Sequence, residues 1–151
     1  MITTRKVTEN DKEFLWNLKV AAMRPWVELV YGWNDDAQYS YFLKNFRPKT
    51  MRIIRYDGQD VGMIELLERP EELFIARFEV LPEFQNRGIG TTNIQWAIDQ
   101  AVATQKALRL QVFKINPARR LYERMGFIET GEKETHIQME WLNDGIASSL
   151  I

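Results

Sequence analysis

Apolar side chains recur along this chain in two rhythms, and the change from one to the other orders the fold. Phe14, Leu15, Leu18 and Ala22 return every three to four residues, the interval of one helix face. Thr8 followed by Asp11 has the spacing of a capping box ahead of them, and Ile2 to Val7 before the cap reads as a short strand. Pro25 has no amide hydrogen and restricts Arg24, so the pattern predicts a break or kink there and a second helical piece from Trp26 to Tyr31. Asn34 or Asp35 can cap a third piece through Tyr39, Phe42, Leu43 and Phe46, closed by Pro48.

From Thr50 the rhythm becomes that of strands. Met51 to Tyr56 turns at Asp57-Gly58, a dipeptide suited to a two-residue hairpin, and returns from Val61 to Glu68. A polar turn at Arg69 to Glu72 leads to a third strand, Leu73 to Val80. Helical spacing resumes with Ile89, Ile94, Ala97, Ile98, Ala101 and Val102, and Ala107 to Phe113 reads as a buried strand. A helix from Pro117 to Met125 stops at Gly126, and strands from Phe127 to Thr130 and Thr135 to Trp141 follow. The expected class is mixed α/β (α+β), helices around a largely antiparallel sheet. The tail from Asn143 to Ile151 is expected to fray or to pack on a partner.

At 151 residues, without a Pro/Gly/Ser-rich linker, the expectation is one domain spanning 1–151. Twenty basic against 21 acidic side chains leave no excess to neutralise nucleic-acid phosphates, so a nucleic-acid partner is disfavoured. The absence of cysteine excludes a thiol nucleophile, a disulfide framework and thiolate ligands, and a single histidine cannot build a histidine-rich metal centre. Charge begins at Arg5 and Lys6, and no apolar run reaches the ~20 residues a spanning helix needs. The expected protein is cytoplasmic, without metal or membrane partner, and a monomer or homodimer.

The chemistry concentrates in Val80-Leu81-Pro82-Glu83-Phe84-Gln85-Asn86-Arg87-Gly88-Ile89-Gly90-Thr91, between a strand and a long amphipathic helix. Gly88 and Gly90 permit a tight turn, so unpaired amides at the helix start can converge on one anion, favoured by the helix dipole. Arg87 adds a charge-assisted donor. A Walker A loop would need lysine after its last glycine, where Thr91 stands. A dinucleotide fingerprint would need glycine where Asn93 stands, after the first strand of a parallel unit. Triphosphate hydrolysis and hydride transfer both lose support.

Gln85, Gly88 and Gly90 match in full the Q/R-x-x-G-x-G/A signature of the GCN5-related N-acetyltransferase (GNAT) family, which this chain resembles. Val80-Leu81-Pro82-Glu83 is similar to that family's V-x-P-E strand end. Asn116, Ala118 and Leu121-Tyr122-Glu123-Arg124-Met125-Gly126-Phe127 are similar to its N…A…LYE-x-x-GF element, with Asn116 six residues before Tyr122 where seven is commoner. The stretch Ala21 to Glu28 with Gly32-Trp33-Asn34 also resembles a bacterial subgroup of uncharacterised members.

The resemblance implies a GNAT-like acyl-CoA N-acyltransferase fold and transfer of acetyl from acetyl-CoA, a co-substrate, to a primary amine of a small molecule or protein. The alternative is a non-catalytic acyl-CoA-binding regulatory module of the same fold. It implies that Gln85, Asn86, Arg87, Gly88, Ile89, Gly90 and Thr91 hold the pyrophosphate, that Val80, Leu81 and Pro82 pair with the pantetheine arm like an added strand, and that Asn116 and Tyr122 complete the CoA site. Val80 would aim an amide at the thioester carbonyl, and Tyr122 would protonate the departing thiolate. An attacking ammonium must first lose a proton. Glu79, just before Val80, is the first candidate base and Glu65 the second, while neutral Gln111 could only orient water. Trp26, Tyr31, Trp33, Tyr39, Tyr41 and Phe42, with Glu28, Asp35 and Asp36, could wall a site for a cationic amine, although much of such a cluster is ordinarily core. His136 reads as a surface or packing residue.

Overall fold

The computed structural model describes residues 1–142; the tail from Asn143 lies outside the described residues. Elements follow in the order β1 (Ile2–Lys6), a 3-10 turn (Glu9–Asp11), α1 (Lys12–Tyr31), α2 (Asp35–Lys44), β2 (Met51–Tyr56), β3 (Gln59–Glu68), β4 (Glu72–Val80), a second 3-10 turn (Pro82–Phe84), α3 (Ile89–Thr104), β5 (Ala107–Phe113), α4 (Arg119–Arg124), β6 (Ile128–Glu132) and β7 (His136–Trp141). The strands form one sheet ordered β1-β2-β3-β4-β5-β7-β6. Only β4 and β5 run parallel among the registered pairs, and the connection between them is the crossover helix α3 that a parallel pair requires.

The chain divides into two compact units, one made of Met1–Glu65 and Arg77–Ile89, the other of Leu66–Ala76 and the chain from Gly90 onward. In the first, Val7, Leu15, Leu18, Phe42, Met51, Ile53 and Met63 form a closed core, with Phe14, Trp16, Ala22, Phe46 and Leu81 packed on it. Asp57 and Gly58 both have positive φ, 49° and 84°, which is the mirror-image turn that matches strand twist. Asn34 caps α2 by accepting from the Ala37 amide at 2.9 Å.

Pro25 does not break the helix. α1 runs uninterrupted for 20 residues with Pro25 inside and ends at Gly32, whose amide donates to the Glu28 carbonyl at 3.0 Å. Pro25 and Ala21, whose carbonyl loses its helical donor, are both exposed, so water can serve that oxygen. Leu15, Leu18 and Val27 meanwhile keep one face of the helix buried.

In the second unit Ile94, Ala97, Ile98 and Ala101 bury one face of α3, and Leu108, Leu110, Val112, Ile137 and Met139 are buried strand residues. α4 is shorter than the predicted Pro117 to Met125. Its flanks are tighter turns, with Arg120 donating to Pro117 and Gly126 to Glu123 at 3.0 and 3.1 Å.

Candidate functional site

The segment after β4 is held by its own short-range bonds. Leu81 donates its amide to the Val61 carbonyl at 2.8 Å, Phe84 to Leu81 at 2.9 Å and Gln85 to Pro82 at 3.2 Å. The Gln85 side chain turns back, Nε2 donating to the Val80 carbonyl at 3.2 Å. Asn86 and Gly88 then take left-handed φ values of 63° and 82° on either side of Arg87. Left-handed residues interleaved with ordinary ones turn successive amides toward one concavity, an anion-binding arrangement. Among the described residues no protein acceptor takes the amides of Asn86, Arg87 or Gly88, and all three residues are exposed. α3 begins at Ile89, so Gly90 and Thr91 lie in the first turn, where amides have no partner within the helix. Arg87 is steadied over the faces of Phe84 and Tyr56, 5.2 and 5.8 Å from their centroids.

β4 ends under close constraint. A Cβ added to Gly62 would stand 2.5 Å from the Glu79 carbonyl oxygen and 3.3 Å from the Val80 Cα. Glycine at 62 is therefore what lets β3 and the end of β4 approach this closely. Val80 is buried, and Pro82 is exposed as it opens the 3-10 turn. The registered pairing of β4 with β5 ends at Ile75 with Leu110, so β4 continues to Val80 without a registered β5 partner.

Both candidate bases are buried and already paired. Glu79, 6% exposed, accepts from Arg77 Nε at 3.2 Å and from Nη2 at 3.0 and 3.1 Å. Glu65, fully buried, accepts from Arg47 Nε and Nη2 at 2.8 Å each and from the Thr50 hydroxyl at 2.6 Å. Neither arginine stood out in the sequence. Arg77 was within reach of sequence reasoning, since residues two apart on a strand share a face. Arg47, 18 residues from Glu65, carried no such signal.

Tyr122 lies on α4, 7% exposed, its ring edge-on to Phe127 at 5.8 Å. Burial pushes its phenol well above the ordinary value, which keeps the proton in place at neutral pH. Asn116 spends its side-chain oxygen on the Ala118 amide, 2.9 Å away, fixing the entry to α4. Gln111 faces Gln138 on β7. His136 packs its ring 4.3 Å from Phe113, and burial together with Lys133 holds its pKa below the usual value.

The aromatic cluster forms in the first unit with a membership the sequence only partly indicated. Trp16 is its hub, with Trp33, Tyr39 and Phe42 at 6.1, 5.1 and 5.7 Å. Trp33 donates its indole N–H to Asp35 at 2.6 Å and Glu28 pairs with Arg24 at 3.6 Å, so two of the three carboxylates have local partners. Among the described residues no group of three or more His, Cys, Asp or Glu side chains could hold a metal ion, and no helix is long and apolar enough to cross a membrane.

The seven-stranded mixed sheet, with its amide-lined loop opening into α3, has the architecture of the N-acetyltransferase fold. PaiA N-acetyltransferase from Thermoplasma acidophilum, solved with coenzyme A, matches at a TM-score of 0.78 with 18% identity over 95% of this chain and 99% of that one. Spermidine N-acetyltransferase from Vibrio cholerae, solved with CoA and spermine, matches at 0.69 with 22% identity over 95% and 96%. The ribosomal-protein-S18-alanine N-acetyltransferase from Escherichia coli matches at 0.70 with 19% identity over 93% and 92%. No curated protein matches by sequence. The family model described as Acetyltransferase (GNAT) family matches residues 15–127, and the chain belongs to that family.

Proposed function

We propose that this protein transfers acetyl from acetyl-CoA to a primary amine by direct attack, without a covalent enzyme intermediate. The observation that carries the reading is the loop of exposed amides from Asn86 to Gly88, shaped by two left-handed residues and running into the first turn of α3. A pyrophosphate suits that chemistry, since it carries the charge the amides and the helix dipole favour. Gln85 holds the loop to the strand end, Arg87 contributes charge, and Ile89, Gly90 and Thr91 start the helix. The family membership and the CoA complexes of proteins with this fold support the same ligand.

Acetyl-CoA supplies the activated thioester. The chain's part is to line the pantetheine arm with the backbone of Val80, Leu81 and Pro82, to offer the Val80 amide to the carbonyl oxygen as charge develops, and to donate the Tyr122 proton to the leaving thiolate. Asn116 acts by setting the start of the helix that carries Tyr122. The acceptor proton leaves through Glu79 or through water. Glu79 adjoins Val80 in sequence, yet both its oxygens are held by Arg77, an arrangement that favours water as the immediate acceptor.

Calorimetry with acetyl-CoA and free-thiol release with an amine panel test the reading. Micromolar-range binding is expected, with loss in Gly88→Val, because a β-branched residue does not settle at φ 82°. Undiminished binding by the folded variant would remove the loop from the site, and binding without turnover on any amine would assign a regulatory module instead.

A further inference from the structure

Lys19 sits where a lysine is rarely found. It lies on the buried face of α1 beside Leu15 and Leu18 and is only 8% exposed, whereas lysines on such faces ordinarily extend their ammonium to water. Nζ lies 4.8 Å from the centre of the Tyr41 ring and is not sealed from solvent. Among the described residues no carboxylate comes within ion-pair reach of it, since Glu79 is committed to Arg77 and Glu65 to Arg47. The Arg77–Glu79 pair is buried near Lys19, whereas the Arg47 side chain is 41% exposed. Arg77 and Glu79 act electrostatically on Lys19, the Arg77 guanidinium lies 5.8 Å from the Phe42 ring centre, and Arg47 is within electrostatic reach of Tyr41. Around Lys19 two cations, Lys19 itself and Arg77, thus face one carboxylate, Glu79. The positive excess sits on Lys19, whose ammonium is disfavoured first by burial and then by Arg77, with Glu79 opposing them.

A buried cation without a counter-charge is costly, and an anionic ligand is what would balance it. We propose that Lys19, beneath Tyr41 and beside Arg77, is the subsite for a carboxylate carried by the acceptor, so that the acetylated substrate is an amino acid or another carboxylate-bearing primary amine. The inference rests on the acetyl-transfer reading and narrows it. Tyr41 is 62% exposed, so the ring beside the ammonium stands at the surface, where a ligand has access. Arg77 lies three residues before Val80, on the strand whose end is assigned to the thioester. The same excess of positive charge works against a polyamine, which would bring like charge to a buried cation.

The test pairs each acid with its amide: glycine with glycinamide, β-alanine with β-alaninamide, and 4-aminobutyrate with 4-aminobutyramide, with spermidine alongside. Free-thiol release is measured in the unaltered protein and in Lys19→Met. The acid of the best pair is expected to have a KM about tenfold below its amide, and Lys19→Met to erase that ratio, a tenfold effect corresponding to about 1.4 kcal/mol. Equal KM values for acid and amide, spermidine as the best acceptor, or an acid-to-amide ratio untouched by Lys19→Met would overturn the subsite. Calorimetry of N-acetyl-β-alanine against its amide on the unaltered protein needs neither turnover nor a variant. Preference for the acid supports the subsite, and equal affinity overturns it. Absence of thiol release from every acceptor, beside a measured preference for the acid, would overturn acetyl transfer and leave the anion site standing.

Discussion

Gly62→Ala isolates what the end of β4 contributes. The new Cβ would stand 2.5 Å from the Glu79 carbonyl oxygen and 3.3 Å from the Val80 Cα. Both obstacles are backbone, so no side chain can swing away, and relief needs the strands to part by something on the order of 0.5–1 Å. Glu79 and Val80 are buried, which puts the cost in the range of overpacking, about 1–3 kcal/mol. For a chain of this length that lowers Tm by roughly 2–12 °C. A shift of that size at Val80 also displaces the amide assigned to the thioester carbonyl, and misplacements near 1 Å cost on the order of 100-fold in rate. Differential scanning calorimetry and steady-state kinetics with acetyl-CoA read the two effects. Gly58→Ala is the control. Its φ of 84° makes alanine strained by about 1–2 kcal/mol, yet nothing lies within 4 Å of the added Cβ, and the hairpin turn carries no part of the site. It should lose comparable stability with kcat preserved. A Gly62→Ala protein with wild-type Tm and kcat, or a Gly58→Ala protein that loses as much kcat, would refute the reasoning.

Other outcomes follow from individual residues. Tyr122→Phe should lower kcat far more than it changes acetyl-CoA affinity, since the hydroxyl contact strengthens only as thiolate charge develops; unchanged kcat with chemistry rate-limiting would exclude the role. The upward shift of the Tyr122 phenol by burial keeps its donating form through the ordinary phenol range near 10, so the rate should rise with pH as the amine deprotonates and not fall again below about that pH. Glu79→Gln and Glu65→Gln should each leave that rise in place if water takes the proton, whereas its loss with intact CoA binding in either variant would make that glutamate the base. The Asp11 carboxyl is lowered by its hydrogen bonds from Arg5, at 2.8 and 3.0 Å. Its stabilisation is therefore present above the unfolded value near 3.9 and lost as pH falls through the lowered folded value. Urea denaturation between pH 2 and 6 should find that increment in the wild type and a smaller one in Arg5→Met, where the Thr8 hydrogen bonds to Asp11 remain.

Local rhythm along the chain was enough to locate what local physics governs. The helical face of α1, the cap at Asn34, the Asp57-Gly58 turn and the strand from Ala107 to Phe113 each depend on residues within a few positions of one another. The loop ahead of α3 was legible in part: Gly88 takes the left-handed φ suited to a tight turn, whereas Gly90, read with it, lies inside α3 and the second left-handed residue is Asn86. Where an outcome depends on distant packing, the sequence was silent or misleading. Pro25 reads as a helix breaker and is carried inside α1 by burial of Leu15, Leu18 and Val27 at the cost of one exposed carbonyl bond. Strand β7 enters between β5 and β6, a choice made by pairing Val112 with Ile137 and Leu110 with Met139 that no spacing reveals. The partner of Glu65, the setting of Lys19 and the need for glycine at 62 arise from chain segments brought together only by the tertiary structure. Charge balance and close approach are properties of neighbours in space, and one-dimensional order does not record them.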